Sequence, residues 1–174
     1  MSLVDYSRYM FRSPDKMVTV SEEIEHVDTY MKIQNLRFAD RIIYQVNISS
    51  EIEDAMIPPF IIQSFVENSV KYAVNLEKKN LLTIQGKLEE IEGELYVELE
   101  IRDNGEGYRQ EVLDVMDETE PEDERFNIGI RNVRQRLEFL FGKRARMILK
   151  NDNGAVVTLW VPLVWKEDME DEGI

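Results

Sequence analysis

Residues 58–73, with the sequence PPFIIQSFVENSVKYA, contain a regular helical pattern: at about 100° per residue, one half of the surface is apolar and the other polar. The apolar half consists of Ile61, Ile62, Phe65, Val66, Val70 and Ala73, with Ser69 among them. The polar half consists of Gln63, Ser64, Glu67, Asn68 and Lys71. Pro58 and Pro59 suit a first turn, whose N–H groups have no intrahelical partner. The pattern therefore predicts a helix with one face in the core.

Three residues on the polar half form a strip that could bind a phosphate ligand. Glu67 and Lys71 alone are an ordinary i, i+4 pair worth about 0.2–0.5 kcal/mol. Asn68 is a poor helix former, so its position between these two charges requires a reason. A carboxylate, an amide oxygen and an ammonium group together could hold hydrated Mg²⁺ and phosphate oxygens. A solvated helix face is the alternative interpretation.

A second pattern places a glycine loop directly after a strand. Residues 95–102, LYVELEIR, alternate apolar and polar side chains with a period of two, which predicts a strand with one face in the core. Asp103 follows, and then Gly105 and Gly107, which allow a ligand to approach the backbone closely. The carboxylate of Asp103 offers an acceptor to a group such as the exocyclic amine of a base. A tight turn without a ligand is the alternative.

A third stretch, residues 126–142 with the sequence FNIGIRNVRQRLEFLFG, predicts a helix that Gly129 introduces. Arg131 and Asn132 fall in its first turn, where free N–H groups favour anions and a glycine lets phosphate approach. This pattern predicts a triphosphate site. The basic residues further along are interpreted as a solvated face: Arg134, Arg136, Lys143, Arg144 and Arg146.

In this order, ENSVK at 67–71 and DNGEG at 103–107 resemble the N and G1 boxes of the ATP-binding domain shared by histidine kinases, gyrase, Hsp90 and MutL. Residues 126–142 are similar to the G2 box, although Asn127 stands where the fuller pattern has a glycine. Within that superfamily the chain most resembles LytS/YesM-type sensor histidine kinases, from EEIEHVDTYMKIQNLRF through PPFIIQSFVEN to IGIRNVRQRL and AVVTLWVPL. The resemblance covers about residues 19–163.

The resemblance implies ATP and Mg²⁺ as cofactors and gives roles to individual residues. It assigns Asn68 to Mg²⁺, with Glu67 as a second candidate ligand. It also assigns Glu67 to orienting or deprotonating the phosphoacceptor, Lys71 to the phosphates and Asp103 to adenine. The other nucleotide-binding residues that it implies are Tyr72, Gly105, Gly107, Ile128, Gly129, Ile130, Arg131 and Asn132, with the three glycines in the mobile nucleotide loop.

The function that the resemblance implies is transfer of the γ-phosphoryl group of ATP to a histidine on a separate dimerisation domain, in cis or in trans within a dimer, with a response regulator downstream. The N-P-H-F-type motif that usually carries this acceptor is absent. His26 has charged neighbours, so we expect it at the surface and not as the acceptor. The alternatives are an ATP-hydrolysing enzyme or a serine kinase of the same superfamily, and a non-catalytic nucleotide-binding interaction module.

Composition limits the class of protein. A chain of 174 residues suits one domain with a sizeable core. The net charge of −14 argues against a nucleic-acid or anionic-membrane surface, so we expect neither partner. The absence of cysteine excludes disulfides and thiolate metal sites and suits the cytoplasm. There is no run of about 18 apolar residues, and the resemblance implies the cytoplasmic domain of a membrane-anchored bacterial sensor.

We expect three regions. Residues 1–18 would hold a cloning remnant and the tail of an upstream dimerisation or linker helix, residues 19–165 the ATP-binding domain, and residues 166–174 a frayed acidic tail. A helix from about 20 to 38 would be capped by Thr19 or Ser21, with Glu22 and Glu23 in its first turn. The acidic run from 111 to 124 should be mobile, and in the family it is the lid.

The remaining patterns predict the fold class. Strands are expected at 42–48, 81–88, 93–102, 145–150 and 155–161, with two antiparallel hairpins. Because strands and helices mix without a strict βαβ alternation, the prediction is α+β. The resemblance implies the Bergerat-type two-layer α/β sandwich, a mixed, mostly antiparallel sheet with helices packed on one face.

Overall fold

The computed structural model describes residues 17–39, 41–74, 79–115 and 128–171. Its strands are β1 (Val18–Thr19), β2 (Ile42–Ile48), β3 (Met56–Ile57), β4 (Asn80–Ile91), β5 (Glu94–Asp103), β6 (Arg146–Asn151) and β7 (Ala155–Pro162). Five of them form one sheet in the order β2-β4-β5-β7-β6, and the short β1 and β3 pair separately. Only the β2–β4 pair of that sheet is parallel. The predicted mixed, mostly antiparallel sheet is confirmed.

The helices are α1 (Val20–Arg37), α2 (Gln63–Tyr72), α3 (Gln110–Val115), α4 (Ile128–Phe141) and α5 (Lys166–Asp171), with a 3₁₀ turn at Gly142–Arg144. The alternation along β5 buries Val97, Leu99 and Ile101 in one cluster with side chains of α1, α2 and α4. The opposite face of the strand carries Glu98 and Glu100, which take part in ion pairs. The result is the predicted two-layer sandwich.

Helix α1 begins with a capping box at Thr19, one of the two residues predicted to cap it. Thr19 Oγ1 accepts a hydrogen bond from the backbone of Glu22, and the Glu22 carboxylate accepts one from the backbone of Thr19, each at 3.1 Å.

The surface position expected for His26 is wrong, because its side chain is fully buried. His26 lies one turn from Glu23 on the buried side of the helix, and its ring meets that of Phe60 edge-on at 6.1 Å. Burial lowers the pKa of His26.

The predicted helix over 58–73 is shorter than expected. It begins at Gln63, and Phe60 has a φ of 67°, in a region that a helix cannot contain. Pro58 and Pro59 therefore precede a turn and do not lie in the first helical turn. Gln63, expected on the polar half, is only 2% exposed.

The ends of the predicted regions differ in part from expectation. The tail expected to be frayed contains helix α5, at whose start Asp168 Oδ2 accepts a hydrogen bond from the Trp165 N–H at 2.9 Å. The acidic run from 111 begins within helix α3, where Val112 packs against the core. Residues 116–127, which include most of the predicted lid, lie outside the described residues. In the described part of the chain, no helix is both long and apolar enough to cross a membrane.

Candidate functional site

A cavity of about 180 Å³ opens between α2, the loop after β5 and the start of α4. Its wall consists of Asn68, Ser69, Tyr72, Ala73, Asp103, Glu106, Gly107, Tyr108, Arg109, Val112, Ile130 and Ala155. Five predicted site residues are among them, namely Asn68, Tyr72, Asp103, Gly107 and Ile130. The fold therefore brings the three motifs, which are far apart in the chain, to one cavity.

Asp103 is the best-defined polar group of the cavity. Its side chain is buried, with 6% exposed. Oδ1 accepts hydrogen bonds from the backbone N–H groups of Gly105 at 2.9 Å and Ala155 at 3.1 Å, and Oδ2 accepts one from Ser69 Oγ at 2.7 Å. A carboxylate has about four acceptor positions, so one remains for a donor in the cavity. Such a buried acceptor suits an N–H donor such as an exocyclic amine.

Sequence reasoning missed several residues of the cavity wall. Ser69 was placed on the apolar half of its helix, and a lone hydroxyl among core residues is the signal that could have identified it. Tyr108 and Ala155 follow the glycine loop and the β6–β7 turn, and no local pattern marks them. Burial, and then the charge of Asp103, raises the pKa of Tyr108, so its hydroxyl keeps its proton.

The two glycines after Asp103 allow the loop to pack tightly against the protein. A Cβ at Gly105 would lie 2.3 Å from the Cβ of Ala73, at the end of α2. Gly107 has a φ of 83°, and a Cβ there would lie 2.6 Å from Oδ1 of Asn151. The Asn151 side chain also bonds both the N–H and the carbonyl of Tyr108. Packing thus explains both glycines, in addition to the ligand contact expected for them.

The remaining predicted residues lie outside the cavity wall. Glu67 and Lys71 are exposed on α2, beside Asn68. A Cβ on Gly129 would lie 3.8 Å from Nδ2 of Asn68, so the first turn of α4 faces this end of the cavity. Two further predicted residues of that turn, Arg131 and Asn132, are exposed. The side chain of Ile128 is outside the described part of the structure.

The start of α2 is held by a residue that the sequence did not single out. Glu23 is fully buried, and its carboxylate accepts hydrogen bonds from the N–H groups of Phe60 at 3.0 Å and of Ile62 and Gln63 at 3.2 Å. Burial raises the pKa of Glu23 from 4.5 to about 7, against the effect of these N–H groups and of Arg136. The N–H groups at the start of a helix favour such an anion.

Arg136 on α4 supports the same turn. Its guanidinium donates to the carbonyl of Pro59 and lies 5.9 Å from the centre of the Phe60 ring. The expected solvated position of Arg136 is therefore wrong, and burial lowers its pKa. Arg134 fits the predicted solvated face, where it pairs with Glu138 at 3.0 Å.

The residues of the site fit a nucleotide with a phosphate-bound cation. Val112, Ile130 and Ala73 give the cavity apolar walls for a ring, next to the acceptor of Asp103. Within residues 17–39, 41–74, 79–115 and 128–171, no group of three or more His, Asp or Glu could hold a metal ion. A Mg²⁺ near the Asn68 amide would therefore take most of its ligands from phosphates and water.

Two family profiles match the chain. Residues 1–42 match the histidine kinase family, and residues 54–164 match the family of histidine kinase-, DNA gyrase B- and HSP90-like ATPases. The second match contains the whole cavity wall. It also contains every residue that the sequence analysis assigned to the site.

Known proteins with similar sequences or folds agree with these matches. The sensor histidine kinase/phosphatase LytS from strains of Staphylococcus aureus is 27% identical over 169 residues, which are 94% of this chain and 28% of LytS. The chain therefore spans little more than a quarter of that relative. The catalytic domain of histidine kinase ThkA has the same fold, with a TM-score of 0.62 at 16% identity, over 84% of this chain and 94% of that domain.

A second solved structure, the mycobacterial sensor histidine kinase MprB, has a TM-score of 0.59 at 13% identity, over 86% of this chain and 98% of that one. At such identities these structures show the fold alone. The family profile, by contrast, covers most of the chain and all of the site. The chain therefore belongs to the histidine kinase-, DNA gyrase B- and HSP90-like ATPase family.

Proposed function

We propose that this chain is the catalytic domain of a bacterial sensor histidine kinase, which binds Mg·ATP and transfers the γ-phosphoryl group to a histidine on a separate dimerisation domain. That acceptor would belong to the same protein, in cis or in trans within a dimer, and a response regulator would receive the phosphoryl group next. The domain would lie on the cytoplasmic side of a membrane-anchored sensor. Family membership and the similarity to LytS over 94% of the chain support this proposal.

The observation that carries the proposal is the environment of Asp103. Three protein donors hold its carboxylate in one orientation, and one acceptor position remains at the cavity. A rigid, buried acceptor favours a ligand with a matching N–H donor, because an unmatched buried acceptor costs about 1–3 kcal/mol. The amine of adenine provides that donor.

The roles proposed for the polar end follow from what phosphoryl transfer requires, which is positioning and charge neutralisation. Asn68 would hold a Mg²⁺ that neutralises phosphate charge, with Glu67 as a second candidate ligand. Lys71 would add a positive charge near the phosphates. Free N–H groups in the first turn of α4, around Gly129, together with the exposed side chains of Arg131 and Asn132, would bind phosphate oxygens.

Glu67 is proposed to act on the incoming acceptor. One imidazole nitrogen of the acceptor histidine would bond to the γ-phosphorus as the bond from that phosphorus to the ADP oxygen breaks. Glu67 would accept a hydrogen bond, or the proton, from the other imidazole nitrogen. Its exposed position on α2 leaves its carboxylate accessible to a second domain.

Calorimetric titration with ADP and with a non-hydrolysable ATP analogue, with and without Mg²⁺, tests the binding part of the proposal. Asp103→Asn should weaken ADP binding on the order of tenfold or more, because its amide nitrogen would face other donors. No binding by the unaltered chain, or equal binding by the variant, would overturn the proposed site.

Transfer requires a second measurement. The chain is incubated with Mg·ATP and the histidine-bearing region of the staphylococcal LytS relative, and phosphate on histidine is followed. Transfer that Asn68→Ala abolishes would support the kinase proposal. Steady ATP turnover by the chain alone would favour a hydrolase, and binding without either reaction would favour a non-catalytic module.

A further inference from the structure

Residues 59–62 form a turn at which three helices meet. The first N–H groups of α2 have no partner within the helix. Glu23 of α1 accepts hydrogen bonds from the N–H groups of Phe60, Ile62 and Gln63. Arg136 of α4 donates to the carbonyl of Pro59. The start of α2 is therefore fixed by two other helices, and Ile62 at its N-cap makes no side-chain cap.

A second hydrogen bond extends this arrangement toward the site. The side chain of Gln63 is 2% exposed, and its Nε2 donates to Oε1 of Glu67, one turn further along α2, at 2.6 Å. The backbone N–H of the same residue, Gln63, donates to the Glu23 carboxylate. A continuous path, which we call the relay, thus runs from Glu23 through Gln63 to Glu67, and Glu67 precedes Asn68 at the cavity wall.

We propose that Glu23 and Gln63 are positioning residues, which together set the orientation of Glu67 and Asn68 at the phosphate end of the site. The inference rests on the proposed function, because that function assigns Glu67 and Asn68 to the binding of Mg²⁺ and phosphate. The hydrogen bonds of the relay do not include Asp103 at the base end. Asp103 is held instead by Ser69, Gly105 and Ala155.

This independence separates positioning from simple stabilisation. A carboxylate that only caps a helix contributes to the stability of the domain. Its loss would therefore lower the affinity for all nucleotides alike, with or without Mg²⁺. A relay that orients Glu67 and Asn68 affects the contribution of Mg²⁺ and leaves the base contact intact. The informative quantity is the Mg²⁺ gain, which is the ratio of the affinities for a non-hydrolysable ATP analogue with and without Mg²⁺.

The test compares two relay variants with a matched control by calorimetric titration. Glu23→Gln keeps the shape of the side chain but turns a donor toward the N–H groups, and Gln63→Leu keeps bulk but removes the bond to Glu67. Each should reduce the Mg²⁺ gain on the order of tenfold, and ADP affinity without Mg²⁺ should not change. Glu22→Gln makes the same change at the adjacent, exposed residue, whose carboxylate belongs to the capping box of α1, and should leave both quantities unaltered.

A second readout does not depend on the nucleotide. Hydrogen exchange at the Ile62 and Gln63 amides should be faster in Glu23→Gln than in Glu22→Gln or the unaltered chain. If Glu23→Gln does not fold, Gln63→Leu alone decides. An unchanged Mg²⁺ gain in Gln63→Leu, or an equal loss of affinity for the ATP analogue with and without Mg²⁺, would overturn the relay. The proposed nucleotide site would still stand in that case, provided that the unaltered chain binds ADP. Failure of the unaltered chain to bind any nucleotide would overturn the proposed function, and the relay with it.

Discussion

The hydroxyl of Ser69 donates a 2.7 Å hydrogen bond to Oδ2 of Asp103 and so joins helix α2 to the end of strand β5. The two residues are 34 positions apart in the chain, and both belong to the cavity wall. The bond limits the orientations of a carboxylate that otherwise has only backbone donors. Since a fixed acceptor binds a matching donor with less loss of conformational entropy, Ser69 should contribute to nucleotide affinity without touching the base.

Ser69→Ala should therefore weaken ADP binding about fivefold, the loss expected from one hydrogen bond of about 1 kcal/mol. Calorimetry without Mg²⁺ measures this effect at the base end alone. Ser64→Ala is the matched control, because its hydroxyl donates to the carbonyl of Phe60 and is not part of the cavity wall. Equal ADP affinity in Ser69→Ala and Ser64→Ala would contradict the role of Ser69.

Gly105→Ala should both destabilise the domain and weaken ADP binding. The new Cβ would lie 2.3 Å from the Cβ and 2.7 Å from the Cα of Ala73, so the loop must move, and Asp103 with it. Overpacking of this kind costs about 1–3 kcal/mol. Urea unfolding and ADP titration measure the two effects.

Gly93→Ala is the control for this prediction. Its φ of 85° makes a side chain unfavourable, but no atom of the described residues lies within 4 Å of the added Cβ, and the position is in the β4–β5 turn. It should lose stability and retain ADP affinity. If Gly105→Ala retains its ADP affinity as well, the loop does not hold Asp103 in place.

The pKa of Glu23 gives a pH dependence of stability. Because burial raises that pKa from 4.5 to about 7, the folded state binds the proton more tightly than the unfolded state. The contribution of Glu23 is thus fully present below pH 4.5 and is lost as the pH rises through about 7. The free energy of unfolding of the unaltered chain, minus that of Glu23→Gln, should fall by about 3 kcal/mol over this window.

Urea unfolding at several pH values measures this difference. The other titrating groups, such as His26, and the charge of the neighbouring Arg136 are present in both proteins, so most of their effects cancel. A difference that is constant with pH would mean that Glu23 has the same pKa in the folded and unfolded chains.

The local features of this fold could be predicted from the sequence because their physical causes are local. Alternation of apolar and polar residues is sufficient to predict β5, and Thr19 is recognisable as a candidate N-cap from its residue type and from the acidic residues that follow it. Asp103 was found because it follows a strand and precedes glycines. The resemblance to known motifs then predicted that these separate stretches belong to one nucleotide site.

The partners of Glu23 could not be predicted, because they lie 37 to 40 positions along the chain. In the sequence, Glu23 is one of two acidic residues in a first turn, where an exposed position is the usual outcome. Arg136 is similarly hidden in a run of basic residues. The helix starts at Gln63 and not at Pro58, and this later start depends on the same contacts, because Glu23 caps the shortened helix from outside it.

Gly129→Ala should leave the domain at least as stable as the unaltered chain but lower its affinity for the non-hydrolysable ATP analogue. Gly129 lies in the first turn of α4, and among the described residues a Cβ there would have no neighbour closer than 3.8 Å, so the methyl group fits against them. Alanine is favoured over glycine in helices by up to about 1 kcal/mol, so thermal denaturation should show equal or higher stability. The methyl group would nevertheless occupy the surface where phosphate is proposed to approach, so affinity for the non-hydrolysable ATP analogue should fall more than affinity for ADP. If both affinities are unchanged in a stable variant, the phosphates bind elsewhere, and the role proposed for the first turn of α4 is wrong.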